Sequence, residues 1–233
     1  MDTAFKYGLM VLNTKATGRT TLPTAEAGST TSMATSMMVS NMQVLTIVGN
    51  WENDKANGYG VYIHANGSKY EGEWKDDKQH GFGSEYWADG SEYQGMYVNS
   101  KKEGKGQYIW PDGNKYIGEW HDNAIHGRGI YIWSDGRVYC GEWENNMMHG
   151  KGTYKWLDGR MYNGDYSNDK KHGFGVYVWA DGRAYVGNWI DGKQADERVY
   201  ILPNGTVRKG IWEDSQRKEW VNVTEEEAES LKA

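Results

Sequence analysis

The sequence has very little of several residues that shape ordinary domains. It contains one cysteine, three prolines and three phenylalanines in 233 residues. The single Cys140 excludes an intramolecular disulfide framework and fits a reducing compartment. The apolar run at residues 9–12 is too short to span a bilayer and lacks the basic flank of a secretory signal. We therefore expect a soluble intracellular protein.

Concentrated positive charge is also absent. The formal net charge is −6, and neither the ends nor the middle of the chain carries a block of lysine and arginine. Phosphate binding requires such a concentration of basic residues. The composition therefore argues against nucleic acid as a partner.

Glycine and large amphipathic rings are abundant, with 31 glycines, 17 tyrosines and 12 tryptophans. These residues recur every 23 residues, the interval from Tyr70 to Tyr93, in an aromatic-x-Gly-x-aromatic motif. Weaker copies begin at Ile47 and Arg208. No insertion separates the copies, so one supersecondary unit is stacked into an array. The six clear copies begin at Tyr70, Tyr93, Tyr116, Tyr139, Tyr162 and Tyr185.

One unit, residues 139–159, shows what each copy builds. Residues 139–143 and 151–156 alternate between the two faces with period two, which indicates strands. The Asp158-Gly159 dipeptide predicts a tight hairpin turn with positive φ angles, and the polar residues 143–150 predict a longer connection. The predicted fold class is all-β: an elongated single-layer antiparallel meander of about seven hairpins, twisted and curved, with short tails.

Glycine alternates with the rings on the same face of each predicted strand. A residue without a Cβ lets a tyrosine or tryptophan of a neighbouring strand lie against the backbone. Cross-strand pairs of this kind contribute about 0.2–1 kcal/mol each. We therefore predict that aromatic rings pack on glycine along the whole sheet.

These residues resemble the MORN repeat family, whose unit runs Y-x-G-x-W, a polar stretch, H-G-x-G, and an aromatic strand ending in D-G. The resemblance covers residues 47–212. It implies a single-layer sheet of hairpins that associates with partners or with itself. Such arrays occur in ciliary and cytoskeletal assemblies, in membrane-junction proteins, and attached to kinase or methyltransferase domains. We divide the chain into an extended Ser/Thr/Met-rich arm (1–46), the repeat array (47–212) and an acidic tail with a short helix (213–233).

Some copies depart from this pattern. Tyr97 and Tyr166 replace the first-strand tryptophan, and residues 195–198 lack the H-G-x-G motif. Degenerate copies at an end suit the capping of an open sheet edge. Glu85 stands where other copies have tyrosine, inside the array, and capping does not explain it.

The two tails carry weaker signals. Residues 1–46 show neither a clear period nor enough apolar mass to fold alone, so we expect this arm to be disordered in isolation. Thr224 followed by Glu227 forms the pattern of a capping box, which predicts a short helix through about Lys232.

Catalytic and metal sites are not indicated. The in-phase histidines should lie roughly 10 Å apart, two strand spacings, whereas ligands of one zinc ion lie about 2 Å from it. We interpret their imidazoles as hydrogen-bonded within the hairpin connections. Acidic residues recur in most copies, whereas an enzyme needs one asymmetric constellation. We predict no catalytic residue, no cofactor and no metal. The histidines are His80, His126, His149 and His172.

The aromatic face is the candidate binding site. Its rings either pack only on glycine and on one another, or also form a groove that receives a partner's helix or extended segment. We hypothesise that another molecule covers this face. The predicted groove comprises Tyr70, Trp74, Trp87, Tyr93, Tyr97, Tyr108, Trp110, Tyr116, Trp120, Tyr131, Trp133, Tyr139, Trp143, Tyr154, Trp156, Tyr162, Tyr166, Tyr177, Trp179, Tyr185 and Trp189.

Three functional hypotheses follow. The first is a non-catalytic scaffold or adaptor that binds other proteins in a multisubunit intracellular assembly, with the ciliary axoneme or cytoskeleton as its setting. The second is a peripheral membrane adaptor binding anionic phospholipids, which the acidic charge balance opposes. The third is a homodimer joined through edge strands or groove to groove. The sequence leaves the partner and the contacting repeats open.

Overall fold

The computed structural model describes residues 32–40, 43–195, 197–213 and 216–232. Consecutive strands pair antiparallel in chain order, so these residues form one meander, as predicted. The short β15 and β16 both pair with β14 and share one position in the sheet. The strands are β1 (Ser32–Ser40), β2 (Gln43–Glu52), β3 (Lys55–Ile63), β4 (Lys69–Lys75), β5 (Lys78–Tyr86), β6 (Glu92–Val98), β7 (Lys101–Ile109), β8 (Lys115–His121), β9 (Ala124–Ile132), β10 (Val138–Glu144), β11 (Met147–Lys155), β12 (Met161–Ser167), β13 (Lys170–Val178), β14 (Ala184–Ile190), β15 (Lys193–Gln194), β16 (Glu197–Ile201), β17 (Val207–Glu213) and β18 (Gln216–Val221).

The sheet continues past the predicted array at both ends. Strand β1 lies in the N-terminal arm, and β18 lies in the acidic tail. Helix α1 (Glu225–Lys232) follows β18. Its capping box forms as the sequence predicts: the Glu227 N–H donates to Thr224 Oγ1 at 3.2 Å, and the Thr224 N–H donates to the Glu227 carboxylate at 3.0 Å. The expectation for residues 1–31 lies outside the described residues.

The tight turns do not lie at the Asp-Gly dipeptides, where the sequence analysis put them. Asn145 and Asn146 have φ angles of 49° and 69°, and Glu144 pairs directly with Met147. Two consecutive left-handed residues between paired strands make a two-residue hairpin turn whose twist matches that of the strands. Asparagine tolerates this conformation better than most residues with a side chain. The prediction of a longer connection over residues 143–150 is therefore wrong.

The residues that looked like a long loop belong to strand β11 and to a bulge within it. Gly141 of β10 pairs with Gly152 of β11, but the next residue of β10, Glu142, pairs with His149. The two residues of β11 between these partners, 150 and 151, are therefore extra in the ladder. The connection at Asp158-Gly159 is the wider one, with a single left-handed residue, Gly159 (φ 91°). A bulge lets a strand absorb residues that do not fit the ladder.

The second residue of each tight turn ties its hairpin to the preceding one. The Asn146 N–H donates to the Ile125 carbonyl at 2.9 Å, and Asn146 Oδ1 accepts the Ile125 N–H at 2.8 Å. A change in repeat length would separate these partners, which gives a physical reason for the constant interval. The same pair of bonds is made by Asp77, Ser100, Asn123, Asn146 and Asp169.

Replacing Asn146 by glycine tests this tie. Glycine keeps the left-handed backbone but removes the acceptor of the Ile125 N–H, so we expect a loss of about 1 kcal/mol in the free energy of unfolding. The matched control is Asn145→Gly in the same turn. Among the described residues the Asn145 side chain makes no hydrogen bond, so this change should be neutral or slightly stabilising. Urea denaturation of both variants measures the free energy of unfolding. Equal changes in the two variants would contradict a stabilising hydrogen bond from the Ile125 N–H to the Asn146 side chain.

The core is a layer of rings on one face of the sheet. Gly118 and Gly129 pair across β8 and β9, and a Cβ added to Gly129 would lie 2.5 Å from Cζ of Tyr116. The Tyr116 hydroxyl donates to the Glu119 carbonyl at 3.0 Å. Trp120 covers the ring edge-on, with centroids 5.4 Å apart. The prediction that rings pack on glycine is confirmed.

Candidate functional site

The predicted groove residues divide into two groups. Buried rings have no surface to offer a partner: they form the core, so the rings largely cover one another. The partner surface hypothesised from the sequence is thereby reduced to the partly exposed rings. The buried group is Tyr70, Tyr93, Tyr97, Tyr116, Trp120, Tyr139, Trp143, Tyr154, Tyr162, Tyr166, Tyr177, Tyr185 and Trp189. The partly exposed group is Trp74, Trp87, Tyr108, Trp110, Tyr131, Trp133, Trp156 and Trp179.

Five of the partly exposed residues form a row that we call the tryptophan ladder. Each directly follows the second strand of a hairpin and precedes its Asp-Gly turn. Each ring also packs against a tyrosine of the next hairpin, as Trp110 does with Tyr131 at 5.1 Å and Trp133 with Tyr154 at 5.0 Å between centroids. The row is therefore continuous from hairpin to hairpin. The ladder consists of Trp87, Trp110, Trp133, Trp156 and Trp179.

Three members of the ladder hold an arginine of the same hairpin. Arg137 Cζ lies 5.2 Å from the centroid of the Trp133 ring. Its Nε donates to Asp135 Oδ2 at 2.7 Å, and its Nη1 donates to the Tyr154 hydroxyl at 3.1 Å. The guanidinium beside Asp135 holds the pKa of that carboxyl below its usual range. The other two arginines are Arg160 over Trp156, paired with Asp158, and Arg183 over Trp179, paired with Asp181.

The other two members have the tryptophan and the aspartate without the arginine. Ser91 and Asn114 occupy the equivalent positions. Asp89 accepts the Ser91 N–H at 2.8 Å, and this hydrogen bonding lowers the pKa of Asp89. Asp112 Oδ1 accepts the Asn114 N–H at 3.0 Å, and Asp112 Oδ2 accepts the Asn114 side-chain amide at 2.8 Å. Within the described residues neither carboxylate forms an ion pair. The sequence analysis missed this difference, although an alignment of the six copies shows it.

Two lysines explain the copies in which tyrosine replaces the first-strand tryptophan. Tyr97 pairs with Lys102, and Tyr166 pairs with Lys171, at the same position three repeats apart. Tyrosine is smaller than tryptophan, and the lysine stem occupies the space beside it. Lys171 Nζ lies over four rings, with distances to their centroids of 4.5 Å (Tyr177), 4.7 Å (Trp189), 5.1 Å (Tyr162) and 5.3 Å (Trp156).

Glu85, which capping did not explain, belongs to the first of these lysine sites. The Tyr97 hydroxyl donates to Glu85 Oε2 at 2.8 Å. Desolvation lowers the pKa of Lys102, while the charge of Glu85 acts to raise it. Glu85 therefore supplies a hydrogen-bond acceptor for one substituted residue and a counter-charge for the other.

No carboxylate among the described residues acts on Lys171 as Glu85 acts on Lys102, and this leads to a test. Desolvation lowers the pKa of Lys171 to about 8, from an ordinary value of 10.5. The folded state therefore binds this proton less well than the unfolded state, so stability is reduced at pH 7 and recovers as the pH rises from 8 to 10.5. We expect Lys171→Met to stabilise the fold by about 1–2 kcal/mol at pH 7, after allowance for solvent screening and cation–π attraction.

The increase in the free energy of unfolding caused by Lys171→Met should become smaller between pH 8 and pH 10. Urea denaturation of the variant and the wild-type chain at each pH measures this increase. Lys102→Met is the matched control, because it removes a lysine at the same structural position that has Glu85 as its counter-charge. It should give a smaller gain or a loss. A gain at Lys171 that does not change with pH would contradict the assignment.

Acidic residues recur on the opposite face because they stabilise the bulges. Glu119 Oε2 accepts the Arg128 N–H at 3.3 Å, and Asp165 Oδ2 accepts the Phe174 N–H at 3.3 Å. Each carboxylate thus satisfies a backbone donor that the bulge removes from the ladder. The repeated acids have a structural role in these hairpins.

The histidines lie in the bulged strands, and their hydrogen bonding differs from the prediction. Nδ1 of His80, His126 and His149 is buried and has no hydrogen-bond partner among the described residues. Nε2 of His149 lies 3.5 Å from a Glu144 carboxylate oxygen. The interpretation of these imidazoles as hydrogen-bonded is therefore wrong at Nδ1. In the described part of the chain, no group of three or more His, Cys, Asp or Glu residues is arranged to hold a metal ion.

A membrane-spanning helix is not found within the described residues. The one helix there, α1, has eight residues and begins with three glutamates.

Comparison with known proteins identifies the repeat. The family model of the MORN repeat matches residues 48–69, 70–92, 93–115, 116–136, 139–159 and 162–182. Curated proteins give no match. This is a family of repeats, and the match carries no catalytic assignment.

The solved structures that are similar to this chain include a TCP domain and a TCP10 domain. The TCP domain of SAS-4 (dCPAP) from Drosophila melanogaster, in complex with a proline-rich motif of Ana2 (dSTIL), is 12% identical. The matched region covers 66% of this chain and 84% of the chain of that TCP domain, with a TM-score of 0.44. The TCP10 domain of CPAP from Danio rerio is 14% identical and covers 82% and 96%, with a TM-score of 0.34. At this level of similarity nothing about function follows.

Proposed function

The chain belongs to the MORN repeat family, and we propose that it is a non-catalytic scaffold or adaptor that binds other proteins in a large intracellular assembly. The tryptophan ladder is the observation that carries the proposal. Its rings remain partly exposed although the tyrosine core beneath them is complete. Tyrosine and tryptophan suit interfaces, because they offer a large area with few rotatable bonds.

The setting that we propose is the ciliary axoneme or the cytoskeleton. Its support is the resemblance to repeat-only members of the family that occur in such assemblies. The ladder adds a physical argument, because a row of equivalent rings offers several anchor points along an extended partner.

An affinity-capture experiment tests the scaffold role. We expect the full chain to retain axonemal or cytoskeletal proteins that a Trp110→Ala/Trp133→Ala variant loses. Leu157→Ala is the matched control, because Leu157 is 81% exposed and lies outside the ladder. A retained protein should then bind the purified chain directly. Equal retention by the ladder variant, or partitioning of the chain only with free cytosolic proteins, would refute the proposal.

A second candidate is binding to anionic phospholipids. Arg128 and Lys151 occupy equivalent positions on the face opposite the core, and both side chains are highly exposed. Each has an acid on the adjacent strand: Arg128 Nη2 lies 3.5 Å from Glu142, and Lys151 Nζ lies 2.8 Å from Asp165. These acids oppose attraction to a negative surface. Liposome flotation with and without acidic lipid decides the question, and equal flotation would exclude lipid recognition.

A further inference from the structure

In the hairpins where an arginine lies against a ladder tryptophan, the contacts of that arginine show which chemical group this kind of site binds. In the third hairpin of the ladder, Trp133 provides a ring face, Asp135 a carboxylate and Tyr154 a hydroxyl oxygen, and all three contact the Arg137 guanidinium. A planar cation with several N–H donors matches a ring, a carboxylate and a hydroxyl at once. The arrangement recurs at Trp156 with Arg160.

The first two members of the ladder repeat this receptor without an arginine of the chain itself. We call Trp87, Asp89 and Tyr108 the first site, and Trp110, Asp112 and Tyr131 the second site. The aromatic pairs match those that hold arginine: Trp87 lies 5.5 Å from Tyr108 and Trp110 lies 5.1 Å from Tyr131, as Trp133 lies 5.0 Å from Tyr154. Ser91 and Asn114 stand where the other hairpins supply arginine, and the uncharged Asn114 amide donates to Asp112 Oδ2 at 2.8 Å.

Lys102 does not block the first site. Its Nζ lies 5.0 Å from the centroid of the Trp87 ring. Trp156, at the equivalent position, is contacted by Lys171 at 5.3 Å and by Arg160 Cζ at 5.4 Å. One ring of the ladder therefore accommodates a lysine and a guanidinium together. At the second site, no cation lies over the Trp110 ring among the residues that the structure describes.

We propose that the first and second sites bind two arginine side chains of a partner protein. This inference rests on the proposed scaffold function and specifies the chemistry of the partner at the N-terminal part of the ladder. Asp89 and Asp112 supply the negative charge, since neither has an ion-pair partner in the described residues. The other three members of the ladder are occupied by the chain's own arginines.

The geometry also sets the spacing of the two partner arginines. The sites occupy equivalent positions in adjacent hairpins and are separated by two strand spacings, roughly 10 Å. A polyproline II segment has about three residues per turn and rises about 3.1 Å per residue, so arginines three residues apart point to the same side at a separation of about 9 Å. The partner segment therefore has the pattern Arg-x-x-Arg in a polyproline II conformation.

The probe is the peptide acetyl-Arg-Ser-Ser-Arg-amide, added to the full chain while the indole N–H signals are followed by nuclear magnetic resonance. We expect saturable shifts at Trp87 and Trp110, and smaller ones at Trp133, Trp156 and Trp179. A peptide with citrulline at both arginine positions keeps the shape but lacks the charge. It should bind at least about tenfold more weakly, about threefold for each cation site.

Two double variants complete the test. Ser91→Arg/Asn114→Arg gives the first two hairpins the arginines that the later ones already have, and it should reduce peptide affinity by at least about tenfold. Arg137→Ser/Arg160→Ser should extend the response to Trp133 and Trp156. Unaltered binding in the first variant, an equal response to the citrulline peptide, or the absence of saturable shifts would overturn the inference.

The outcome is separable from that of the scaffold proposal. Failure of the peptide to bind, while the chain still retains axonemal or cytoskeletal proteins through the ladder, refutes only the arginine specificity. Binding of the peptide without retention of any such protein refutes the proposed assembly and leaves the arginine sites intact.

Discussion

Replacing Gly129 by alanine is expected to destabilise the array by about 3 kcal/mol or more. The added Cβ would lie 2.5 Å from Cζ of Tyr116, and that ring has no room to move because it is fully buried. Trp120 and Trp143 hold it from two hairpins, with centroids 5.4 Å and 5.7 Å away. Accommodation of the methyl group therefore requires the tyrosine to leave the core.

Gly90→Ala is the matched control for this substitution. Gly90 has a φ angle of 90° and nothing within 4 Å of an added Cβ, so only backbone strain of about 1 kcal/mol is expected. Urea denaturation followed by tryptophan fluorescence compares the two variants with the wild-type chain. Equal losses at Gly129 and Gly90 would show that the ring does not restrain the glycine.

The second large effect is unfolding at alkaline pH. Seven tyrosines are almost completely buried, and burial raises the pKa of each; the pKa of Tyr185 rises to about 12. A raised folded-state pKa means that the unfolded chain loses these protons first, so stability is full below pH 10 and falls above it. The seven are Tyr70, Tyr93, Tyr97, Tyr116, Tyr139, Tyr162 and Tyr185.

The size of this effect follows from linkage. An unfolded tyrosine titrates near pH 10, so at pH 11 each buried tyrosine contributes a loss of about 1.4 kcal/mol. Seven contribute about 10 kcal/mol, comparable to the whole stability of a typical domain. We expect tyrosinate absorbance and loss of the sheet to change together and steeply near pH 11. Gradual titration of the buried tyrosines with the sheet intact would contradict this.

Single substitutions refine the alkaline test. Tyr139→Phe removes one ionising group and should shift the transition to higher pH, although it also loses the hydrogen bond to the Glu142 carbonyl at 2.9 Å. Tyr86→Phe is the control, because Tyr86 is 41% exposed. This side chain is not one of the seven buried tyrosines, so the midpoint should not move.

The sequence was informative about the array because strand geometry leaves few choices. Alternation with period two assigns each residue to a face, and the aromatic-x-Gly-x-aromatic motif places glycine beside a ring. Tyr116, Gly118 and Gly129 are found in this arrangement. The meander and the ring-on-glycine core could be derived in this way, whereas the family was identified by resemblance to its repeat motif.

The candidate site was predicted less well. The alternation pattern placed Tyr116 and Trp110 on the same aromatic face and predicted no difference in their burial. In the structure Tyr116 is fully buried and Trp110 is only partly buried. Exposure depends on which ring of the next hairpin lies above, and a single repeat does not contain that information. The role of Glu85 depends in the same way on Tyr97 in the following strand.

The sequence by itself determined the repeat, the faces of its strands and the face that carries its core, because these follow from periodicity. The tertiary structure decided which connection is tight, since that depends on the register across the bulge at Gly141 and Glu142. It also decided that the arginines of three hairpins lie against the ladder tryptophans. A guanidinium, a ring and a carboxylate come together only when strands from neighbouring hairpins are in register.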